Sequence, residues 1–233
     1  MAQLKAVIFG AIGVIAETSD LQRQSFNLAF AEAGLNWAWD AETYRALLSI
    51  NGGQTRLRAY RDADPARAGV SDALIATIHE HKTAHYARII VSGGLAPRAG
   101  VVALMAACKA AGVVTALCTS TSRDNVDAIA DGLAGQLHFA DFASITTIDK
   151  IAAVKPAADA YLHCLATLGL AAREVIAIED TPVSMASARA AGIRVIATPG
   201  AMTADQDFSD AALVVPDLSA MTLATIEALL DQS

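Results

Sequence analysis

The stretch Val175-Ile176-Ala177-Ile178-Glu179-Asp180-Thr181-Pro182 begins with four apolar residues and ends with two acids, a hydroxyl and a proline. A short apolar run bounded in this way reads as a strand buried on both faces. A helical pattern from Ser184 to Ala191 follows, stopped by Gly192, and Arg194-Val195-Ile196-Ala197 is a second apolar run. Strand, helix and strand at this spacing form the repeating unit of a parallel sheet, because parallel neighbours need a crossover between them. The same alternation extends in both directions. Upstream, a helical pattern from Val101 to Ala111 ends at Gly112 and leads into Val113–Cys118. Asp159 to Leu168 puts Tyr161, Leu165 and Leu168 on one face and stops at Gly169. Ala6-Val7-Ile8-Phe9, followed by Gly10 and Gly13, is the first strand, and Leu213-Val214-Val215 is the last. A further strand-like segment leads to Lys155-Pro156. The fold class is therefore α/β, a doubly wound parallel sheet covered by helices on both faces.

Residues 17–92 interrupt the alternation. They carry only helical patterns, roughly 19–33, 40–48, 53–62 and 71–90, punctuated by Gly34, Gly52-Gly53, Pro65 and Gly69. The expected organisation is a core of residues 1–16 and 93–233 with an inserted helical domain at 17–92. Its hinges are expected near Glu17 and at Ser92-Gly93-Gly94.

Composition sets outer limits. Of 233 residues 54% are hydrophobic and 18% charged, which excludes a mainly disordered chain. The formal net charge is -7 and no Lys/Arg run is present, so no nucleic-acid partner is expected. No apolar run reaches the ~18 residues of a membrane span, and the N-terminus lacks the pattern of a signal peptide. Cys108, Cys118 and Cys164 are scattered without metal-type spacing and fit a reducing, cytoplasmic location. Acting on small molecules or on a protein partner fits this balance best.

Ligands of open α/β sheets bind beyond the carboxyl ends of the strands. Thr119-Ser120-Thr121-Ser122 follows one strand and opens a helix, where hydroxyls and free N–H groups suit an anion, although taken alone such residues more often serve as simple N-caps. Lys155 sits in apolar company and needs a partner unless it snorkels to the surface. Glu179 and Asp180 suit a hard cation, or else a helix N-terminus.

Taken in order, these residues resemble the haloacid dehalogenase superfamily of phosphatases and phosphomutases, in its class with a helical cap after the first strand. Thr119 stands at the second family motif, Lys155 at the third and Glu179-Asp180 at the fourth. The resemblance covers essentially the whole chain. It is nearest to the CbbY-type sugar-bisphosphate phosphatases, with beta-phosphoglucomutase more distant, on Phe26-Asn27, Trp37-Ala38-Trp39-Asp40, Gly52-Gly53, Ala177–Pro182 and Thr198-Pro199-Gly200. It implies a phosphate site at Thr119, Ser120 and Lys155, Mg2+ held by Glu179 and Asp180, and cap contacts to substrate from positions 22, 53 and 54.

The first motif departs from the family. Where the pattern is D-x-D-G, this chain reads Gly10-Ala11-Ile12-Gly13. Gly10 replaces the nucleophilic aspartate and Ile12 the general acid/base, so neither nucleophilic nor proton-transfer catalysis has its side chain. In the cap, Gln22 replaces a usual histidine and Gln54 a usual lysine beside Gly53. Glu17 matches a position usually acidic in the family, which argues against a replacement role. The two lost carboxylate charges equal the charge that Mg2+ would bring. The expectation is a catalytically impaired binder of a phosphorylated small molecule, or a regulator with a protein partner. Two alternatives stand beside it: a hydrolase using a Glu179/Asp180-bound metal and water, and a structural partner of an active paralogue.

Overall fold

The computed structural model describes residues 3–50, 52–92 and 95–230. The chain divides into two compact units, Met1–Glu17 with Leu95–Ser233, and Thr18–Gly94.

The first unit is built on a parallel sheet of β1 (Ala6–Phe9), β2 (Val114–Cys118), β3 (Ser144–Thr146), β4 (Val175–Glu179), β5 (Arg194–Ala197) and β6 (Leu213–Val214). The spatial order is β3-β2-β1-β4-β5-β6. Phe9 lies opposite both Leu117 and Ile178, so the carboxyl ends of β2, β1 and β4 stop level with one another. Between β1 and β4 the winding reverses, which opens a crevice beyond the strand ends. The central strands are fully buried, as their unbroken apolar runs require.

In this unit the helices α5 (Val101–Ala111), α6 (Arg123–Gly132), α7 (Asp159–Leu168), α8 (Pro182–Ala190) and α9 (Leu223–Leu230) accompany the sheet. Their ends follow local chemistry. Thr181 caps α8 by accepting from the Ser184 N–H at 3.1 Å, and Pro182 takes the first helical position, where no N–H is needed. Gly112 ends α5 in the left-handed conformation, φ +72°. Arg98 ties the loops above the sheet together. Its guanidinium donates to the carbonyls of Gly13, Thr198, Pro199 and Pro216.

Two details differ from the sequence reading. The strand preceding Lys155 is not the segment next to it but Ser144–Thr146, and a short 3-10 turn at Ile148–Lys150 intervenes. An edge strand pairing only with β2 needs few residues, and the chain then turns back over the sheet. The sequence pattern assigns no element to α9, which packs on α5 and β4.

The second unit contains α1 (Ser19–Glu32), α2 (Ala41–Leu47), α3 (Gly53–Asp62) and α4 (Asp72–Ser92), with a 3-10 turn at Pro65–Arg67. Helices α1 and α4 pack along each other. The core is aromatic: Phe26, Phe30, Trp37, Trp39 and Tyr44 are buried together, with the Phe26 and Trp39 ring centroids 4.6 Å apart. Asn27 fixes Trp39 from both sides. Its amide donates to the Trp39 carbonyl at 2.9 Å, and its oxygen accepts from the Trp39 N–H at 2.8 Å. Both tryptophans therefore serve this core. Gly93 and Gly94 of the expected second hinge lie outside the described residues.

Among the described residues no helix is long and apolar enough to cross a membrane. The three cysteines are buried and unpaired.

Candidate active site

The carboxyl ends of β1, β2 and β4 bring together most of the core residues singled out from the sequence. Lys155 ties two of these strand ends together, β2 with the loop after it and β4. Its backbone N–H donates to Ser120 Oγ at 3.2 Å, and its Nζ donates to the Cys118 carbonyl at 3.1 Å. The same Nζ forms a buried ion pair with Glu179 Oε1. Tyr161, from the inner face of α7, donates its hydroxyl to that oxygen as well. Burial works against the lysine charge, but the Glu179 carboxylate prevails and holds the Lys155 pKa above its ordinary value. Burial first and Glu179 second push the Tyr161 pKa well up, so its proton stays in place.

The sequence pattern presents Tyr161 only as an apolar face residue of its helix. A signal is nevertheless present: a tyrosine at a core position needs a partner for its hydroxyl. Identifying that partner requires the tertiary structure.

Glu179 is 1% exposed and lies against the end of β1. A Cβ added at Gly10 would come within 2.5 Å of Glu179 Oε2 and 2.9 Å of Val14 Cγ2. The space beside residue 10 is thus occupied by the carboxylate of the fourth motif. Asp180 sits closer still over Gly13, which has φ +78° and no room for a side chain. Burial, then Glu179 and Glu17, raise the Asp180 pKa well above the ordinary carboxylate range. Ile12 is half-buried and offers no ligand or proton.

The loop after β2 is organised by its own hydroxyls. Thr119 Oγ1 accepts from the Thr121 N–H at 3.2 Å, and Thr121 Oγ1 accepts from the Asn125 amide at 2.7 Å. Ser122 caps α6 by accepting from the Asn125 N–H. Capping therefore falls to Ser122, while Ser120 binds the segment carrying Lys155.

These residues do not fit the Mg2+ that the family resemblance implies. Gly10 and Ile12 supply no oxygen side chain, and Glu179 Oε1 already accepts from Lys155 and Tyr161. Among the described residues no group of three or more His, Cys, Asp or Glu is placed to hold a metal. Glu179 and Asp180 do not present a pair of free carboxylates to a cation.

The remaining expected positions, Gln22, Gly53 and Gln54, belong to the helical unit. Gln22 is buried within α1. Gly53 opens α3 against the His79 ring, whose Cδ2 a Cβ at 53 would meet at 2.5 Å. Gln54 Oε1 accepts from Arg58 at 3.3 Å.

A parallel sheet in this order, with Thr119, Lys155 and Glu179-Asp180 at its strand ends, defines a haloacid dehalogenase-like site. The haloacid dehalogenase-like hydrolase family model matches residues 4–192, and the chain belongs to that family. Within it, the chain is similar to CbbY proteins. It is 43% identical to Protein CbbY of Rhodobacter capsulatus over 94% of this chain and 95% of that protein. It is 41% identical to the plasmid CbbY of Cupriavidus necator, covering 92% and 86%. Crystal structures of CbbY from Rhodobacter sphaeroides are 33% identical. A mutant with Xylulose-(1,5)bisphosphate superposes with a TM-score of 0.85, and a complex with phosphate gives 0.84; each covers 93% of this chain and 96% of that one.

Proposed function

We propose that this protein is a non-hydrolytic member of its family that binds a phosphorylated sugar. One observation carries the reading: Gly10, at the tip of β1, has no side chain to accept a phosphoryl group, and the Glu179 carboxylate takes up the adjoining space. Without a nucleophile the covalent route is absent, and without the acid/base a further 10²–10⁴-fold in rate is lost, on the order of general acid–base catalysis elsewhere.

Binding is supported by what remains. The Lys155–Glu179 pair is internally neutral, and Asp180 is held toward its protonated form. An incoming phosphate therefore meets less repulsion than two free carboxylates would produce. The hydroxyl-rich loop Thr119–Ser122 and the N-terminus of α6 supply donors of the type that anions use. Similar CbbY proteins have been crystallised with phosphate and with a sugar bisphosphate.

The test is to incubate purified protein with xylulose bisphosphate and generic phosphate esters, with and without Mg2+. Calorimetric titration of the same sugar bisphosphate runs in parallel. Saturable binding without phosphate release is expected. Turnover that is lost on Asp180→Asn would overturn the proposal, as would a complete lack of sugar-bisphosphate binding.

A further inference from the structure

The helical unit holds a lysine in an unusual setting. Lys82, in α4, is only 4% exposed. Its Nζ faces the rings of Phe26, at 5.2 Å, and Tyr86, at 4.8 Å, and no carboxylate pairs with it among the described residues. Two neighbouring hydroxyls, Thr18 Oγ1 and Tyr86 Oη, are buried without a hydrogen-bond partner among the described residues. Gln22 is buried in the same corner, beside Tyr86. The other titratable groups facing it are Arg56 of α3, Tyr44 of α2 and His79 of α4, with Glu80 acting on His79 from the same helix. Burial, reinforced by Arg56, lowers the Lys82 pKa to about 7.

A buried cation without a partner is costly, and each orphaned hydroxyl adds to that cost. The corner holds two cationic side chains, Lys82 and Arg56, and no carboxylate pairs with Lys82 among the described residues. A group bringing acceptor oxygens and a negative charge would satisfy it. A free anion must shed its hydration to enter so closed a place, whereas carbon dioxide is small and uncharged.

We propose that Lys82 is a carbamylation site for carbon dioxide. The Nζ lone pair forms a bond to the carbon of CO2, and one C=O electron pair moves onto its oxygen. One Nζ proton leaves to solvent. The amine and CO2 become a carbamate and a proton, with no change of oxidation state. The carbamate places two acceptor oxygens among Thr18, Gln22 and Tyr86, and its charge near Arg56.

The full chain is equilibrated with carbon-13-labelled bicarbonate and observed by carbon-13 NMR. It is then trapped with triethyloxonium and mapped by peptide mass spectrometry. One protein-bound carbonyl resonance and one ethoxycarbonyl adduct at Lys82 are expected, both absent from Lys82→Met. Tyr86→Phe is expected to weaken carbamate formation roughly tenfold, the worth of one hydrogen bond to a charged group. Adducts spread evenly over Lys5, Lys109 and Lys150, or none at Lys82 at saturating bicarbonate, overturn the proposal. Mapping of the unsubstituted chain decides the matter even if the Lys82 variant fails to fold.

Discussion

Gly10→Asp returns the family's side chain to the end of β1, and the structure indicates what it costs. The new Cβ enters 2.5 Å from Glu179 Oε2 and 2.9 Å from Val14 Cγ2. Glu179 cannot simply swing away, because Lys155 and Tyr161 hold its other oxygen in a buried site. Overpacking of this kind costs about 1–3 kcal/mol. The added carboxylate must also share the single Lys155 ammonium with Glu179. Protonating the new group limits that penalty: about three pH units between an ordinary aspartate pKa and neutrality, at ~1.4 kcal/mol each, cap it near ~4 kcal/mol. Gly10→Ala isolates the steric part. At neutral pH the expected losses are thus about 1–3 kcal/mol for Gly10→Ala and about 3–6 kcal/mol for Gly10→Asp. The sign with pH follows from a folded pKa raised above the unfolded one. Stability of Gly10→Asp is retained below pH ~4 and falls as pH rises through the folded pKa. Urea unfolding of both variants between pH 4 and 8 measures this. If Gly10→Asp matches Gly10→Ala at pH 7, or if Gly10→Ala costs nothing, Glu179 does not fill the place assigned to it.

Four other outcomes are expected. In Gly10→Asp/Ile12→Asp, Mg2+ restores much of the lost stability by binding the folded state, while the unsubstituted chain gains little; thermal melts with and without the ion decide this. Lys155→Met strands the Glu179 charge in the interior and costs about 3–5 kcal/mol, most of it recovered in Lys155→Met/Glu179→Leu, as read by urea unfolding. For Lys82, whose folded pKa of about 7 lies below its unfolded value, stability in CO2-free buffer rises from pH ~7 to ~10. Lys82→Met removes that slope and is the more stable form at pH 7, by about 3–5 kcal/mol. Asn27→Ala leaves the backbone N–H of the buried Trp39 unpaired, while the carbonyl keeps the Arg23 guanidinium, and costs about 1–3 kcal/mol, seen as an earlier tryptophan fluorescence transition in urea.

The alternation of apolar runs with glycine-stopped helical patterns determined the parallel sheet, because strands buried on both faces leave an unbroken apolar trace. The loss of the first-motif carboxylates was equally plain, since a side chain that is missing from the sequence is missing from the site. The strand Ser144–Thr146 was hidden because three residues at a sheet edge carry too little pattern to identify. The fate of the surviving charges was hidden for a different reason. Glu179 lies 24 residues after Lys155 and 18 after Tyr161, and only packing brings their atoms into one hydrogen-bonded group. Likewise, nothing in the order of residues distinguishes Lys82 from a surface lysine of an amphipathic helix. Its burial against Phe26 and Tyr86 is a property of how α1 and α4 pack. The order of residues determines which chemical groups exist; which of them are removed from water, and beside what, is decided by contacts between distant parts of the chain.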